Sequence, residues 1–201
     1  MTHIKQKAAS RNICRLDFYQ NFSYTRYKRN EVRILLLSLD LSTKSTGYAI
    51  WDKDKLIDYG LITASSQDLI KRIQKITNDL NDILKAKSAN CSIDKVIVEE
   101  VRPENGLQNI QTHRALMWLQ GAIATMFHDD YNLSLEYVYP SEWRSKCGIK
   151  TGAGIKRESL KKKDIAFVKE TFNIDVNDDI ADAIGIGYAY NQTALKEINW
   201  K

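Results

Sequence analysis

The 201-residue chain is poor in the residues that build thiolate metal sites and disulfide frames. It has three cysteines (Cys14, Cys91 and Cys147), no Cys-x-x-Cys pair and three histidines. An odd, scattered cysteine set argues against a zinc cage or disulfide framework and reads as free thiols in a reducing compartment. Only two prolines occur, and no internal repeat or second domain is evident. The length suits one domain of ordinary size plus an appendage. No apolar run approaches the roughly 18 residues that span a bilayer. The first residues also lack the apolar core of a secretory signal. The expectation is a soluble, cytoplasmic protein with no membrane partner.

What is present points elsewhere. Hydrophobic residues make up 43% of the chain, enough for a real core. Thirty basic residues against 25 acidic ones give a formal charge of +5. That balance suits a polyanionic partner without establishing one. Residues 1–32 carry Lys5, Lys7, Arg11, Arg15, Arg26, Lys28 and Arg29, with aromatics scattered among them. They show no helical or strand period and read as a basic, mobile extension. Their chemistry also suits an arm lying on nucleic acid.

From Arg33 the pattern is regular. Short apolar runs at 34–39, 47–51 and 55–62 predict three antiparallel strands. Leu69, Ile73, Ile76, Leu80, Ile83 and Leu84 give a helical period over 66–87, with Ser65 or Ser66 available as its cap. A strand is predicted at 95–98, a helix at 107–128, and a strand at 134–138. A loop or short helix follows at 140–148, then helices at 156–171 and 178–193. The fold class is therefore α/β: a mixed five-stranded sheet, three antiparallel strands then two parallel, with helices on both faces.

Acids stand where acids are costly. Asp40 ends the first apolar run, before the polar loop Ser42–Gly47. Buried there, it would need a cation, backbone donors or a metal ion; at a strand end it could equally be a turn residue. Glu99 and Glu100 close the KVIV strand, and Asp175, Asp178, Asp179 and Asp182 surround the start of the last helix. Asn177 or Asp178 can serve as no more than a cap. Asp182 lies a full turn inside, on one helical face with Asp179. If these elements converge, the acids form a like-charged nest that calls for divalent cations. Hard oxygen donors and the scarcity of histidine favour Mg²⁺ or Mn²⁺ over zinc. Two ions roughly 4 Å apart would straddle a phosphate.

The segments LSLDLSTKSTGYAI, VIVEEV and DDIADAIGIGYA, in that order and spacing, resemble the RuvC-type Holliday junction resolvases of the ribonuclease-H-like superfamily. The likeness is nearest to the divergent phage and low-GC bacterial branch. It covers about 33–193 and implies a nuclease domain over 33–195. It places the family's catalytic, Mg²⁺-binding acids on Asp40, Glu99, Asp179 and Asp182, and leaves open whether Asp178 or Glu100 assists. The implied activity is a homodimeric endonuclease that nicks two strands of a four-way DNA junction hydrolytically, leaving ligatable 5′-phosphates. Where the better-known bacterial members carry an aromatic after the Glu motif, this chain has Arg102, which could stack or bind phosphate. The basic stretch 140–163 has the character of the family's DNA-facing region. Arg144, Lys156, Lys161 and Lys163 are candidate contacts there, with Trp143 beside them. His113 and His128 have no partner acid at ligand spacing and read as structural or exposed. Trp118 reads as core or dimer packing.

The D-x-S-T-x-x-x-G loop also occurs in actin-like ATPases, but those need two such domains and a second phosphate loop. A ribonuclease H, a strand-transfer enzyme and a junction-binding protein that does not cut are the other readings.

Overall fold

The alternation of side chains along the strands assigns both faces of the sheet. The computed structural model describes residues 33–87, 91–101 and 110–198; the extension at 1–32 and Arg102 lie outside the described residues. The elements run β1 (Arg33–Asp40), β2 (Ser45–Asp52), β3 (Lys55–Thr63), α1 (Leu69–Lys87) and β4 (Cys91–Glu99). Then come α2 (Ile110–Tyr131), β5 (Leu135–Val138), α3 (Pro140–Lys146), α4 (Arg157–Phe172) and α5 (Asp178–Ile198).

The five strands form one sheet in the order β3-β2-β1-β4-β5. β1 pairs antiparallel with β2, and β2 with β3, whereas β4 lies parallel to both β1 and β5. The expected fold class is the observed one. Leu35, Leu37 and Leu39 of β1 join Ile50, Val96 and Val98 in a core that meets Ile76 and Leu80 of α1 and Leu119 and Ile123 of α2. The intervening Leu36 joins Ala49, Trp51 and Ile97 on the other face, against Trp143, Val168 and the small residues of α5. A period of two thus puts one helical layer on each face.

Boundaries differ from the sequence expectation where tertiary pairing overrides local pattern. β4 begins at Cys91 because it pairs along β1 from Arg33 to Leu39, with one register shift. At α1, Asp68 rather than a serine side chain accepts from the first free amides, Ile70 N at 2.8 Å and Lys71 N at 3.3 Å. The 140–148 stretch is helical over α3. Cys147 is a free thiol, pushed up to about 12 chiefly by burial and next by Asp164.

α5 lies unusually close to the sheet. Ser38, fully buried in β1, donates to the Ala183 carbonyl at 2.8 Å and accepts from Trp51 Nε1 at 3.2 Å. A Cβ on Gly187 would stand 2.1 Å from Trp51 Nε1 and 2.5 Å from Ser38 Oγ. Gly187→Ala is therefore expected to cost about 1–3 kcal/mol through overpacking. On Gly121 a Cβ meets nothing within 4 Å, so Gly121→Ala should be neutral or stabilising by up to about 1 kcal/mol from helix propensity. Urea unfolding of the two variants checks the contrast; equal stability would contradict this close packing.

Candidate active site

Strand parity decides where the acids point. Leu39 faces the α1–α2 core, so Asp40 takes the opposite face with Leu36 and Ser38; Glu99 likewise follows Ile97. Leu39 and Val98 form the last paired rung between β1 and β4. Asp40 and Glu99 are the next residue on each strand. Two carboxylates thus stand side by side at the carboxyl end of a parallel pair, where open α/β sheets place their ligands.

α5 supplies the other two. Asp40 pairs across the β1–β2 ladder with Gly47, where a Cβ would come within 2.0 Å of the Asp179 carbonyl oxygen. The missing side chain lets the first turn of α5 settle beside Asp40. Ser45 Oγ donates to Asp179 Oδ2. Asn177 caps the helix, its Oδ1 accepting from Ile180 N at 3.0 Å. Asp178 turns away to pair with Lys161, whose hydrogen bond holds its carboxyl below the usual range.

The remaining neighbours come from α3 and α4. Trp143 Nε1 donates to Glu99 Oε2 at 2.7 Å. Arg144 donates through Nη2 to Asp182 Oδ2 at 3.1 Å and stands 4.0 Å from Glu99 Oε2. It is also gripped by Asp164, with Nε 3.2 and 3.0 Å from the two carboxylate oxygens and Nη2 2.9 Å from Oδ2. Asp182 Oδ1 is buried without a hydrogen-bond partner.

The electrostatics follow this geometry. Asp40 is raised well above the ordinary carboxyl value, first by burial and then by Glu99 and Asp179, against Arg144 and Arg157. Glu99 is raised by burial, opposed mainly by the Trp143 hydrogen bond and Arg144. Asp182 is pushed up to about 9 by burial, then by Asp40 and Asp164, with Arg144 pulling down. One guanidinium does not neutralise this set.

A cleft of about 340 Å³ opens at the strand ends. Asp40 and Glu99 line it together with Glu100, Thr112, His113, Pro140 and Arg157. Among the described residues, no three His, Cys, Asp or Glu side chains form a ready-made metal cage. The donor chemistry nonetheless fits a hard divalent ion: the oxygens are carboxylate, charge is uncompensated, and one buried oxygen has no partner.

Several sequence expectations need correction. Arg144, expected on the DNA surface, is 8% exposed and committed to Asp164 and Asp182. Trp143 is fully buried and cannot lie on DNA. Trp118 is 50% exposed and is not core. Lys161 is paired with Asp178, whereas Lys156 and Lys163 are exposed. His128 is exposed beside Asp129, but His113 lines the cleft with Nδ1 buried and unpartnered. Arg157, Asp164 and Ser45 were not singled out. Arg157 hid in a basic run, and nothing local distinguishes Asp164 from a solvated acid.

No family model matches the chain, nor does any curated protein sequence. Solved structures do resemble it. RuvC of Thermus thermophilus, in complex with a Holliday junction substrate, superposes with a TM-score of 0.61 at 14% identity, covering 81% of this chain and 96% of that one. A second T. thermophilus RuvC structure gives 0.58 at 14% identity over the same shares. The yeast mitochondrial Holliday junction resolvase Ydc2 gives 0.50 at 17% identity, covering 83% of this chain and 81% of that one. With its sheet order and the placement of its helices, the chain has the RuvC-type, ribonuclease-H-like fold.

Proposed function

We propose that this chain is an endodeoxyribonuclease that resolves four-way DNA junctions by metal-dependent hydrolysis. The observation that carries the reading is the juxtaposition of Asp40 and Glu99 one step beyond the last β1–β4 rung, with Asp179 and Asp182 of α5 close to them. That arrangement sits in a fold whose T. thermophilus example was solved with a junction. In this reading Asp40, Glu99, Asp179 and Asp182 would hold two Mg²⁺ or Mn²⁺ ions, and the buried, unpartnered Oδ1 of Asp182 is an oxygen free to serve as a ligand. When bound, the ions supply Lewis-acid polarisation of the scissile phosphate and a water acidified for in-line attack, giving 5′-phosphate and 3′-hydroxyl ends.

The protein groups position the rest. Arg157, which lines the cleft, would take a non-bridging phosphate oxygen, and the exposed Lys156 and Lys163 would hold the flanking backbone. Arg144 acts from below as a fixed counter-charge. The Ser42–Gly47 segment is a poor nucleotide cradle, because its second half belongs to β2 and the hydroxyls of Ser45 and Thr46 are already engaged. Thr46 Oγ1 donates to Ser42 O at 2.8 Å, and Ser45 is bound to Asp179.

Pairing of the nicks calls for two copies. α2 presents Ile110, Met117 and Trp118, exposed by 57%, 46% and 50%, on one face, with Arg114 stacked over Trp118 at 5.7 Å. This face is the proposed homodimer contact. Trp118→Glu is expected to give monomers in analytical ultracentrifugation and to uncouple the two nicks on a junction. A variant that stays dimeric would place the interface elsewhere.

The decisive assay incubates the protein and Mg²⁺ with a synthetic four-way junction, beside an RNA–DNA hybrid and ATP. Symmetric nicks on the junction alone are expected; ATP turnover without DNA cleavage would sink the reading. Asp40→Asn should abolish cutting, at least 10²-fold, yet retain junction binding. Because it removes one of several crowded carboxylates, it should also raise metal-free stability by about 1 kcal/mol. Nicking at the normal rate by this variant would exclude Asp40 from catalysis.

A further inference from the structure

We propose that Asp164 is a positioning residue for the candidate site, acting through Arg144 to set which oxygen of Asp182 is presented to a ligand. The inference rests on the nuclease reading above and extends it to a residue outside the cleft.

Asp164 is 1% exposed, on the buried face of α4. Its two oxygens grip the Nε and Nη2 edge of Arg144 at 2.9–3.2 Å. Nε donates to both oxygens and Nη2 forms a close ion pair with Oδ2, so the guanidinium edge is held at two nitrogens where a single hydrogen bond would hold one. The other restraint is Trp143, whose ring centroid lies 4.2 Å from the Arg144 guanidinium carbon and whose indole is tied to Glu99. Held on both sides, Arg144 engages only Oδ2 of Asp182, leaving Oδ1 buried and unpartnered.

Asp164 also divides the charge. Without its anion, the guanidinium would pair more fully with Asp182 and with Glu99, already 4.0 Å away, and would compete with a divalent ion for both. With it, the cation is shared and the acids keep their demand for another. Removing Asp164 therefore weakens ion binding on two counts, orientation and competition. Outer-shell partners of metal-binding carboxylates act in this way elsewhere, typically by 10–100-fold in affinity.

The test titrates Mn²⁺ calorimetrically into the full chain without DNA. Asp164→Asn is expected to weaken the Mn²⁺ Kd about tenfold. In an Arg144→Gln background the same change should have less than about a twofold effect, since its intermediary is gone. A folded Asp164→Asn protein with lowered melting temperature but unchanged Kd would overturn the proposal, as would an equal loss in both backgrounds. If Asp164→Asn alone fails to fold, the double variant, which removes both buried charges, is compared with Arg144→Gln. Equal Kd values support the proposal and a tenfold difference overturns it. Junction nicking separates the two levels. A wild type that binds Mn²⁺ but does not nick sinks the nuclease reading alone, whereas nicking with an unaltered Asp164→Asn Kd sinks only the positioning role. A wild type that binds no Mn²⁺ sinks both.

Discussion

The repulsion between Asp40 and Glu99 is the constraint on which the rest of the site depends. Parallel pairing of β1 with β4 forces the two carboxylates together one step beyond the Leu39–Val98 rung. Backbone hydrogen bonds and the two apolar layers hold the strands in place, so the acids cannot separate by moving apart. Their charge must be met by protonation, by protein cations or by ligand cations. Arg144 and Arg157 meet part of it. Adding Asp179 and Asp182 from α5 makes the shortage greater. A fold that builds such a deficit into its most rigid elements has an arrangement suited to cations and, through them, to phosphate.

α3 and α4 belong to the same logic, though neither carries one of the four acids. The short α3 presents Trp143 to Glu99 and Arg144 to Asp182, and α4 answers Arg144 with Asp164. The aromatic and the cation that looked like surface DNA contacts are thus interior supports. The basic groups left in the open are Arg157, Lys156 and Lys163. Gly47 and Gly187 contribute by absence: each removes a side chain that would hold α5 away from the sheet. Close approach of α5 is what carries Asp179 and Asp182 to the strand ends.

Much of this was readable beforehand, for identifiable reasons. The period-two runs announced the strands, and the apolar repeat from Leu69 to Leu84 announced α1. Asp182, a turn inside a helix of small residues, could not be explained as a cap. Asp164 escaped because a lone acid in the run KKKDIAFVKE looks like one of many solvated charges. Its burial follows only from the packing of α4 on α5 and from the Arg144 side chain that reaches it from α3. His113 escaped likewise, since its placement in the cleft depends on how α2 crosses the strand ends.

The sequence by itself determined the strand and helix order, the two faces of the sheet and the acids that could share a site. Those follow from local periodicity and from the cost of placing charge beside apolar runs. Only the tertiary structure decided which cations meet those acids. Arg144 and Lys161 look alike in a basic stretch, and burial alone makes one a fixed interior counter-ion and the other a surface partner of Asp178. A side chain's charge is written in its residue type, but the neighbour that answers it is set by packing between distant elements.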